Sequence, residues 1–135
     1  MRSTAHAVVS AKAFGEYFAA PVTVAQAFAA DAFGTAVLAS GIFAWTPSNN
    51  DATNNNPFII PPLIGMTVVA LICAIAPLTQ AGFNPARDFG PRIVAYLAGW
   101  KTVAFRSAWV YIAAPVVGAI AGAAFVDKVL CKSEK

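Results

Sequence analysis

Three long runs of apolar residues alternate with more polar segments along the chain. The first run, residues 22–45, contains one acidic residue, Asp31, and no basic residue. The second covers residues 58–78 and the third residues 108–130. A helix of about 20 apolar residues crosses the ~30 Å hydrocarbon core of a bilayer. The pattern therefore predicts an all-α membrane protein with three transmembrane helices.

Turn-forming residues separate the first two runs. Residues 46–56, TPSNNDATNNN, predict a loop because Asn, Ser, Asp and Pro favour turns. Pro61 and Pro62 fall in the first turn of the second run, where a missing amide hydrogen costs least. Pro77 is expected to end the same helix.

The composition supports a membrane protein and excludes several other classes. Of the 135 residues, 59% are hydrophobic and 11% are charged, whereas a globular domain carries about 25% charged residues. The basic residues are scattered and no basic patch is interleaved with aromatic residues, so nucleic acid is not an expected partner. His6 has no companion ligands, and Cys73 and Cys131 do not make a disulfide framework. No pattern is typical of an enzyme, a metal site or a cofactor site. The charges that flank the third run favour opposite orientations, which leaves the orientation open.

Small residues recur at four-residue spacing in two of the runs. Ala32, Ala36 and Ser40 form one row, and Gly118 and Gly122 form another. Such rows let helix backbones approach closely in lipid, so we expect them to pack helices together. The alternative is that an alanine-rich composition produces the rows by chance.

The segment between the second and third runs, residues 79–106, is too broken to span a membrane and too apolar for an exposed loop. Asn84 is a strong N-cap and Pro85 is favoured at the first helical position. A short helix over 84–90 is therefore predicted, with Gly90-Pro91 ending or bending it. Such a helix between two spans indicates a re-entrant segment. Non-helical backbone is tolerated there only in protein or beside a wet cavity, so we expect the carbonyls of residues 79–83 to face a cavity.

This short helix begins with hydrogen-bond donors and positive charge. Its N-terminus carries about half a positive charge, Asn84 has a donating amide, and Arg87 adds a full charge with several donors. Together they would bind a neutral polar solute and repel cations. The alternative is a simple helix cap with Arg87 extended to a lipid headgroup. Asp88 lies in the first turn, where the helix dipole favours a carboxylate.

GFNPARDFGPR, followed by AYLAGW, resembles the second signature loop of the major intrinsic proteins, the aquaporin and aquaglyceroporin family. QAFAADAFGTAVL and APVVGAIAGAAF resemble two spans of that family's second repeat. The resemblance implies one half of an inverted repeat. Residues 1–21 would correspond to the inter-repeat loop, 22–130 to an aquaporin-like half-repeat, and 131–135 to a C-terminal tail.

The resemblance also implies pore-lining and selectivity roles. Arg87 matches the filter arginine, and Ile72 and Ala81 match two further filter positions, which together should leave a wide and weakly polar opening. This favours glycerol or urea, beside water. The signature triplet itself corresponds to Asn84, Pro85 and Ala86, with Asn84 as the solute donor.

Two acidic residues receive loop-bracing roles from the same resemblance. Asp31 stands where the family has a glutamate that accepts hydrogen bonds from the re-entrant loop, although a buried and protonated side chain is the alternative. Asp88 is typical of glycerol facilitators. Gln80 departs from the family, which has glycine there, and would be strained if the position needs a positive φ. Phe83 is expected to pack rather than to gate.

Three functions are compatible with these observations. The first is one half of a channel in the lipid bilayer for passive passage of small neutral solutes. Its missing wall would come from a second half-repeat, a full-length homologue or another copy of this chain. The second is a non-conducting truncated fragment or a subunit of a full-length channel. The third is a three-span scaffold whose Asn-Pro-Ala-Arg is accidental.

Overall fold

The computed structural model describes residues 9–46 and 55–130, and all regular structure within these ranges is helical. His6, Cys131 and the tail at 131–135 lie outside the described residues, as does most of the predicted loop at 46–56. Within the described ranges the long α-helices are α1 (Val24–Trp45), α2 (Ile60–Thr79), α3 (Pro85–Ala95) and α4 (Ala108–Phe125). Shorter helical turns adjoin them: 3-10 turns at Pro57–Ile59 and Lys101–Phe105, and π turns at Tyr96–Trp100 and Val126–Leu130.

Three of these helices, extended by their adjoining turns, are long and apolar enough to cross a membrane. They cover Val24–Trp45, Pro57–Thr79 and Ala108–Leu130, with mean hydropathies of 1.5, 2.5 and 1.9. The fourth, α3, has 11 residues and a length of about 16 Å, too short to cross. The predicted fold class, three spans and one re-entrant half-helix, is confirmed. Within the second span, only 6% of an 18-residue apolar stretch is buried. Helix α2 therefore presents almost all of its surface outward.

The start of α1 is fixed by a reciprocal capping pair. Thr23 Oγ1 accepts a hydrogen bond from the backbone N–H of Gln26 at 3.2 Å. In return, Gln26 Oε1 accepts one from the backbone N–H of Thr23 at 2.9 Å. These bonds satisfy two of the amides that a helix N-terminus leaves open. The helix therefore begins at Val24, two residues after the start of the apolar run.

The small-residue rows meet where α1 and α4 pack together. A β-carbon added at Gly118 would overlap the carbonyl oxygen of Ala32, and one at Gly122 would overlap that of Ala36. Ser40 Oγ also donates to the Gly122 carbonyl at 3.2 Å. Backbone therefore lies directly on backbone at this crossing, as small residues permit.

Pro77, which was expected to end α2, and Pro91, which was expected to end or bend the short helix, both lie inside helices. Pro77 is followed by two more residues of α2, and α3 continues past Gly90-Pro91 to Ala95. The predicted end of the half-helix at residue 90 is therefore wrong. A proline in a helix removes one hydrogen bond and crowds the preceding turn, at a cost of about 3 kcal/mol. In α3 the last turn is held by Arg92, which is fully buried and bonded on several sides.

The N-terminal segment, residues 9–23, lies across one end of the helices. The Ala19 amide donates to the Leu78 carbonyl at 2.8 Å, beside the C-terminus of α2. Tyr17 Oη donates to the carbonyls of Val103 and Ala104 at 3.2 and 3.0 Å. The segment thus bridges the end of α2 and the connection to α4, and it faces the start of α3.

Candidate functional site

The loop between α2 and α3 has an unusual backbone. Gln80, Ala81 and Phe83 all have positive φ, at 64°, 58° and 52°. Each such residue costs about 1–2 kcal/mol relative to right-handed backbone. Gln80 thus has the conformation in which strain was predicted. A loop of this kind persists only when its surroundings hold it in place.

Asp31, which lies on α1, contacts this loop. Its Oδ1 accepts hydrogen bonds from the amides of Gly82 and Phe83 at 3.0 and 3.4 Å. Its Oδ2 is buried and has no hydrogen-bond partner within the described residues. The Phe83 ring packs against Gly34, where a β-carbon would overlap it. Phe83 belongs to the apolar cluster between α1, α2 and the loop, together with Leu71, Ile75 and Ala81.

Three backbone carbonyls of residues 79–83 accept hydrogen bonds from side chains of the same chain. Tyr111 Oη donates to the Thr79 carbonyl at 3.1 Å. Arg87 Nη1 donates to the carbonyls of Ala81 and Gly82 at 3.0 and 3.2 Å. Three of the loop carbonyls therefore have donors within the chain, and two of these hydrogen bonds come from Arg87, which also lines the groove described below. The Tyr111 hydroxyl and the Arg87 guanidinium supply the partners that the sequence interpretation did not foresee.

The start of α3 is capped as predicted for an Asn-Pro pair. Asn84 Oδ1 accepts from the amides of Ala86 and Arg87 at 2.9 and 3.2 Å, and Pro85 occupies the first helical position. Because the oxygen is used by the cap, the side-chain NH₂ of Asn84 is the group that remains to donate outward. The Asn84 side chain is exposed.

An open groove of about 470 Å³ runs past the N-terminus of α3. Of the predicted pore residues it brings together Ile72, Asn84 and Arg87. The Ala81 side chain is only 1% exposed and lies in the apolar cluster instead, so that residue reaches the site through its carbonyl. The remaining lining is largely apolar and consists of Thr35, Leu38, Ala39, Ile42, Val68, Gly82, Phe83 and Ala119.

Pro85 and Ala86 do not line this groove. They lie with Phe89 and Ile112 around a separate apolar depression of about 240 Å³. The signature triplet is therefore divided, with Asn84 on the groove and its two neighbours on an apolar surface.

A second cavity, of about 430 Å³, lies on the other side of Arg87. It is bounded by residues 12–16 of the N-terminal segment and by Gln80, and Arg87 lines both cavities. We call this second cavity the vestibule. Arg87 therefore borders both the groove and the vestibule.

Glu16 also lines the vestibule and contacts Arg87 there. Its Oε1 lies 2.9 Å from Arg87 Nη1, and its side chain is 9% exposed whereas that of Arg87 is 53% exposed. Burial raises the pKa of Glu16 above its ordinary value and outweighs the opposing attraction of Arg87. Sequence interpretation missed Glu16. The available signal was that it is the only acidic residue before Asp31, but its partner lies 71 positions away.

A fully buried ion pair anchors the same region. Arg92 Nε lies 2.6 Å from Asp88 Oδ2, and neither side chain is exposed. Asp88 Oδ1 also accepts from the Glu16 amide at 2.6 Å. Arg92 donates to the Ala104 carbonyl at 2.7 Å and to the Glu16 carbonyl. Asp88 and Arg92 therefore both join α3 to the backbone of the N-terminal segment. Sequence interpretation assigned Arg92 no role in the site.

Aromatic rings cover the guanidinium of Arg92. Its Cζ lies 4.5 Å from the centroid of the Tyr17 ring and 5.5 Å from that of Tyr111. Both distances permit a cation–π attraction. The charge is thus enclosed by a carboxylate, carbonyl oxygens and two aromatic faces.

The three spans and the short helix that starts at Asn84 define an integral, multi-pass membrane protein with the fold of half an aquaporin. Its fold matches that of the aquaglyceroporin from Plasmodium falciparum with a TM-score of 0.76, covering 93% of this chain and 55% of that one at 21% identity. The family described as major intrinsic protein matches residues 1–126. The chain belongs to the major intrinsic protein family, which confirms the resemblance.

Curated relatives are similar over almost the whole chain. The glycerol uptake facilitator proteins of Pseudomonas aeruginosa and Escherichia coli K12 are both 36% identical over 129 residues, which is 91% of this chain and 46% and 45% of theirs. The propanediol uptake facilitator PduF of Citrobacter freundii is 34% identical over 139 residues, or 98% of this chain and 51% of that one. The chain spans about half the length of the curated relatives it matches.

Proposed function

We propose that this chain forms one wall of a membrane pore for passive passage of small uncharged solutes, with glycerol foremost and urea and water beside it. The observation that carries the proposal is the groove in which Asn84 and Arg87 lie on an otherwise apolar lining. The names of the glycerol and propanediol facilitators to which the chain is similar support the same class of solute.

The chemistry of the groove suits a short polyol. Glycerol has hydroxyl groups along one side of a carbon chain and C–H groups along the other. The Asn84 amide and the Arg87 guanidinium would donate to the hydroxyl oxygens, while Ile72 and its apolar neighbours would contact the C–H groups. The positive end of α3 adds to the attraction for the oxygens and opposes cations. Because Glu16 compensates Arg87, cation exclusion depends less on the arginine charge than the sequence suggested.

The groove is open, so the proposed pore needs a facing wall. A second half-repeat, a full-length homologue or a second copy of this chain in inverted orientation would supply it. In each case Arg87 and Ile72 act as selectivity residues, Asn84 as the solute donor, and Ala81 contributes by fixing Arg87 through its carbonyl. Asp31 and Asp88 act as braces of the loop and of α3.

A second candidate is a non-conducting fragment or subunit that binds a full-length channel. The outward surface of α2 favours this second candidate, because only 6% of its apolar stretch is buried. Such a helix has room to contact another protein in the membrane. This candidate and the pore differ in whether the groove conducts when no full-length channel is present.

Reconstitution into proteoliposomes tests the proposal. Swelling would be followed under water and glycerol gradients for the chain alone and for the chain with the first half of a glycerol facilitator. Arg87→Ala is the test variant, and Arg106→Ala, an exposed arginine away from the groove, is the matched control. Permeation that changes with Arg87 but not with Arg106 supports a pore. Inserted protein that conducts in neither setting overturns the pore and leaves the subunit.

A further inference from the structure

Gln80 has a backbone conformation that favours glycine. It caps the C-terminus of α2 with φ 64° and ψ 4°, in the left-handed region. Glycine enters this region without a steric penalty, whereas a residue with a β-carbon does not. A long amide side chain at this position therefore needs a reason beyond the turn itself.

The Gln80 side chain uses both ends of its amide on the N-terminal segment. Its Oε1 accepts from the Tyr17 amide at 2.9 Å, and its Nε2 donates to the Lys12 carbonyl at 3.3 Å. These two partners bracket residues 13–16. One side chain thus fastens both ends of the stretch that carries Glu16.

The bracketed stretch places a carboxylate against Arg87, the residue that borders both the groove and the vestibule. Glu16 Oε1 lies 2.9 Å from Arg87 Nη1. Asp88 and Arg92 bond the Glu16 backbone from the side of α3, while Gln80 bonds the flanking residues from the side of α2. The Glu16 carboxylate is therefore positioned between two anchors, and Gln80 is the one that belongs to the re-entrant loop.

We propose that Gln80 is a positioning residue that holds Glu16 against Arg87 and so compensates the guanidinium charge and fixes its orientation between the groove and the vestibule. The inference rests on the proposed function for its consequence in transport but not for its geometry. Without the two Gln80 hydrogen bonds, residues 12–17 loosen and Glu16 withdraws from Arg87. The Arg87 guanidinium then has no counter-ion and is held only by its hydrogen bonds to the Ala81 and Gly82 carbonyls.

The first experiment measures the geometry without any transport. In the full chain in detergent, phenylglyoxal modifies arginines at a rate that depends on their accessibility. Arg106, which is exposed, serves as an internal reference for Arg87. The rate ratio of Arg87 to Arg106 should rise at least about two-fold in Gln80→Gly, the factor that corresponds to loss of even one of its two hydrogen bonds. Glu16→Gln should raise it similarly, and the double variant should raise it no further.

Gln80→Gly also separates positioning from a general structural role. Glycine relieves the left-handed strain, so the thermal midpoint should stay equal or rise while Arg87 becomes more reactive. Amide exchange at Tyr17 should accelerate in Gln80→Gly and in Gln80→Ala, because both remove its acceptor. An unchanged Arg87 ratio in Gln80→Gly, or independent and multiplicative effects of Gln80→Gly and Glu16→Gln, would overturn the inference.

The transport experiment then tests the consequence. In conducting proteoliposomes, Gln80→Gly should shift the glycerol-to-water permeability ratio in the same direction as Glu16→Gln, with no added shift in the double variant. If no preparation conducts, the proposed function fails while the arginine reactivity still decides the role of Gln80. If preparations conduct and Arg87 reactivity is unchanged in Gln80→Gly, the inference fails and the proposed function stands.

Discussion

Replacing Asp88 with alanine should destabilise the protein more than any surface substitution. Asp88 and Arg92 are both fully buried, and Asp88 is the anion that faces the Arg92 guanidinium at 2.6 Å. The other oxygen atoms bonded to Arg92 are neutral carbonyls, among them those of Ala104 and Glu16. Asp88→Ala therefore leaves a buried cation without its counter-ion and removes the acceptor of the Glu16 amide.

The magnitude follows from the burial. Breaking a buried ion pair by removing one partner costs about 3–5 kcal/mol, because an uncompensated charge remains in a medium of low dielectric constant. Asp88→Asn should cost less, since an amide oxygen can still accept from one of the two partners. Asp88→Ala combined with Arg92→Met should cost clearly less than the sum of the two single changes, because no charge is then left unpaired.

The assay is reversible unfolding of the chain in mixed detergent, followed by tryptophan fluorescence as the denaturing detergent fraction increases. Asp127→Ala, an exposed aspartate at the end of the third span, is the matched control and should leave the free energy of unfolding unchanged within error. A loss below about 1 kcal/mol for Asp88→Ala would match an exposed ion pair. That result would refute the view that Asp88 and Arg92 form a desolvated anchor.

Three further predictions concern Glu16, Asp31 and the helix crossing. The pKa of Glu16 is raised above its ordinary 4.5 in the folded state, so the folded state binds a proton at this carboxyl more tightly than the unfolded state does. Stability should therefore fall as the pH rises from 4.5 through the raised pKa, and Glu16→Gln should remove this part of the slope in unfolding titrations at several pH values. Asp31→Ala leaves two loop amides unpaired and should cost about 1–3 kcal/mol; Asp31→Asn retains the acceptor, so an equal loss in both variants would contradict the hydrogen-bond explanation. Gly122→Ala should cost about 1–3 kcal/mol because its β-carbon meets the Ala36 backbone. The control Gly65→Ala, with open space around it, should stabilise α2 by up to about 1 kcal/mol, and comparable thermal midpoints for the two glycine variants would argue against a tight crossing.

The parts of the fold that depend on local pattern could be predicted from the sequence. Long apolar runs indicate spans because a helix needs about 20 consecutive apolar residues to cross the hydrocarbon core of a bilayer. Asn84-Pro85 indicates a helix start because the cap and the fixed φ act on adjacent residues. The end of α3 could not be predicted in this way, since Pro91 ends a helix by local rules. Those rules are overridden by Arg92, whose partners lie as far away as Glu16.

The site shows the same division. Asn84, Arg87 and Ile72 share the groove, and each was recognisable from a motif or from its spacing to one. Glu16 was not, because no local rule relates an acid in an N-terminal segment to a guanidinium 71 residues later. The side chain of Ala81 faces the apolar cluster, although its spacing from the triplet suggested the groove. Its left-handed backbone, which rotates the side chain away, is set by contacts from other helices.

The strained loop explains why these distant partners matter. Three residues with β-carbons and positive φ between α2 and α3 would not keep this conformation alone. Asp31 holds the loop amides from α1, Tyr111 holds the Thr79 carbonyl from α4, and Arg87 holds two further carbonyls from α3. Helices α1, α3 and α4 thus each contribute a restraint, and all of these restraints lie within the one half-repeat. It follows that the proposed facing half would close the groove but is not needed to shape the loop. Variants of the restraints should therefore disturb the isolated chain as much as they disturb an assembled pore.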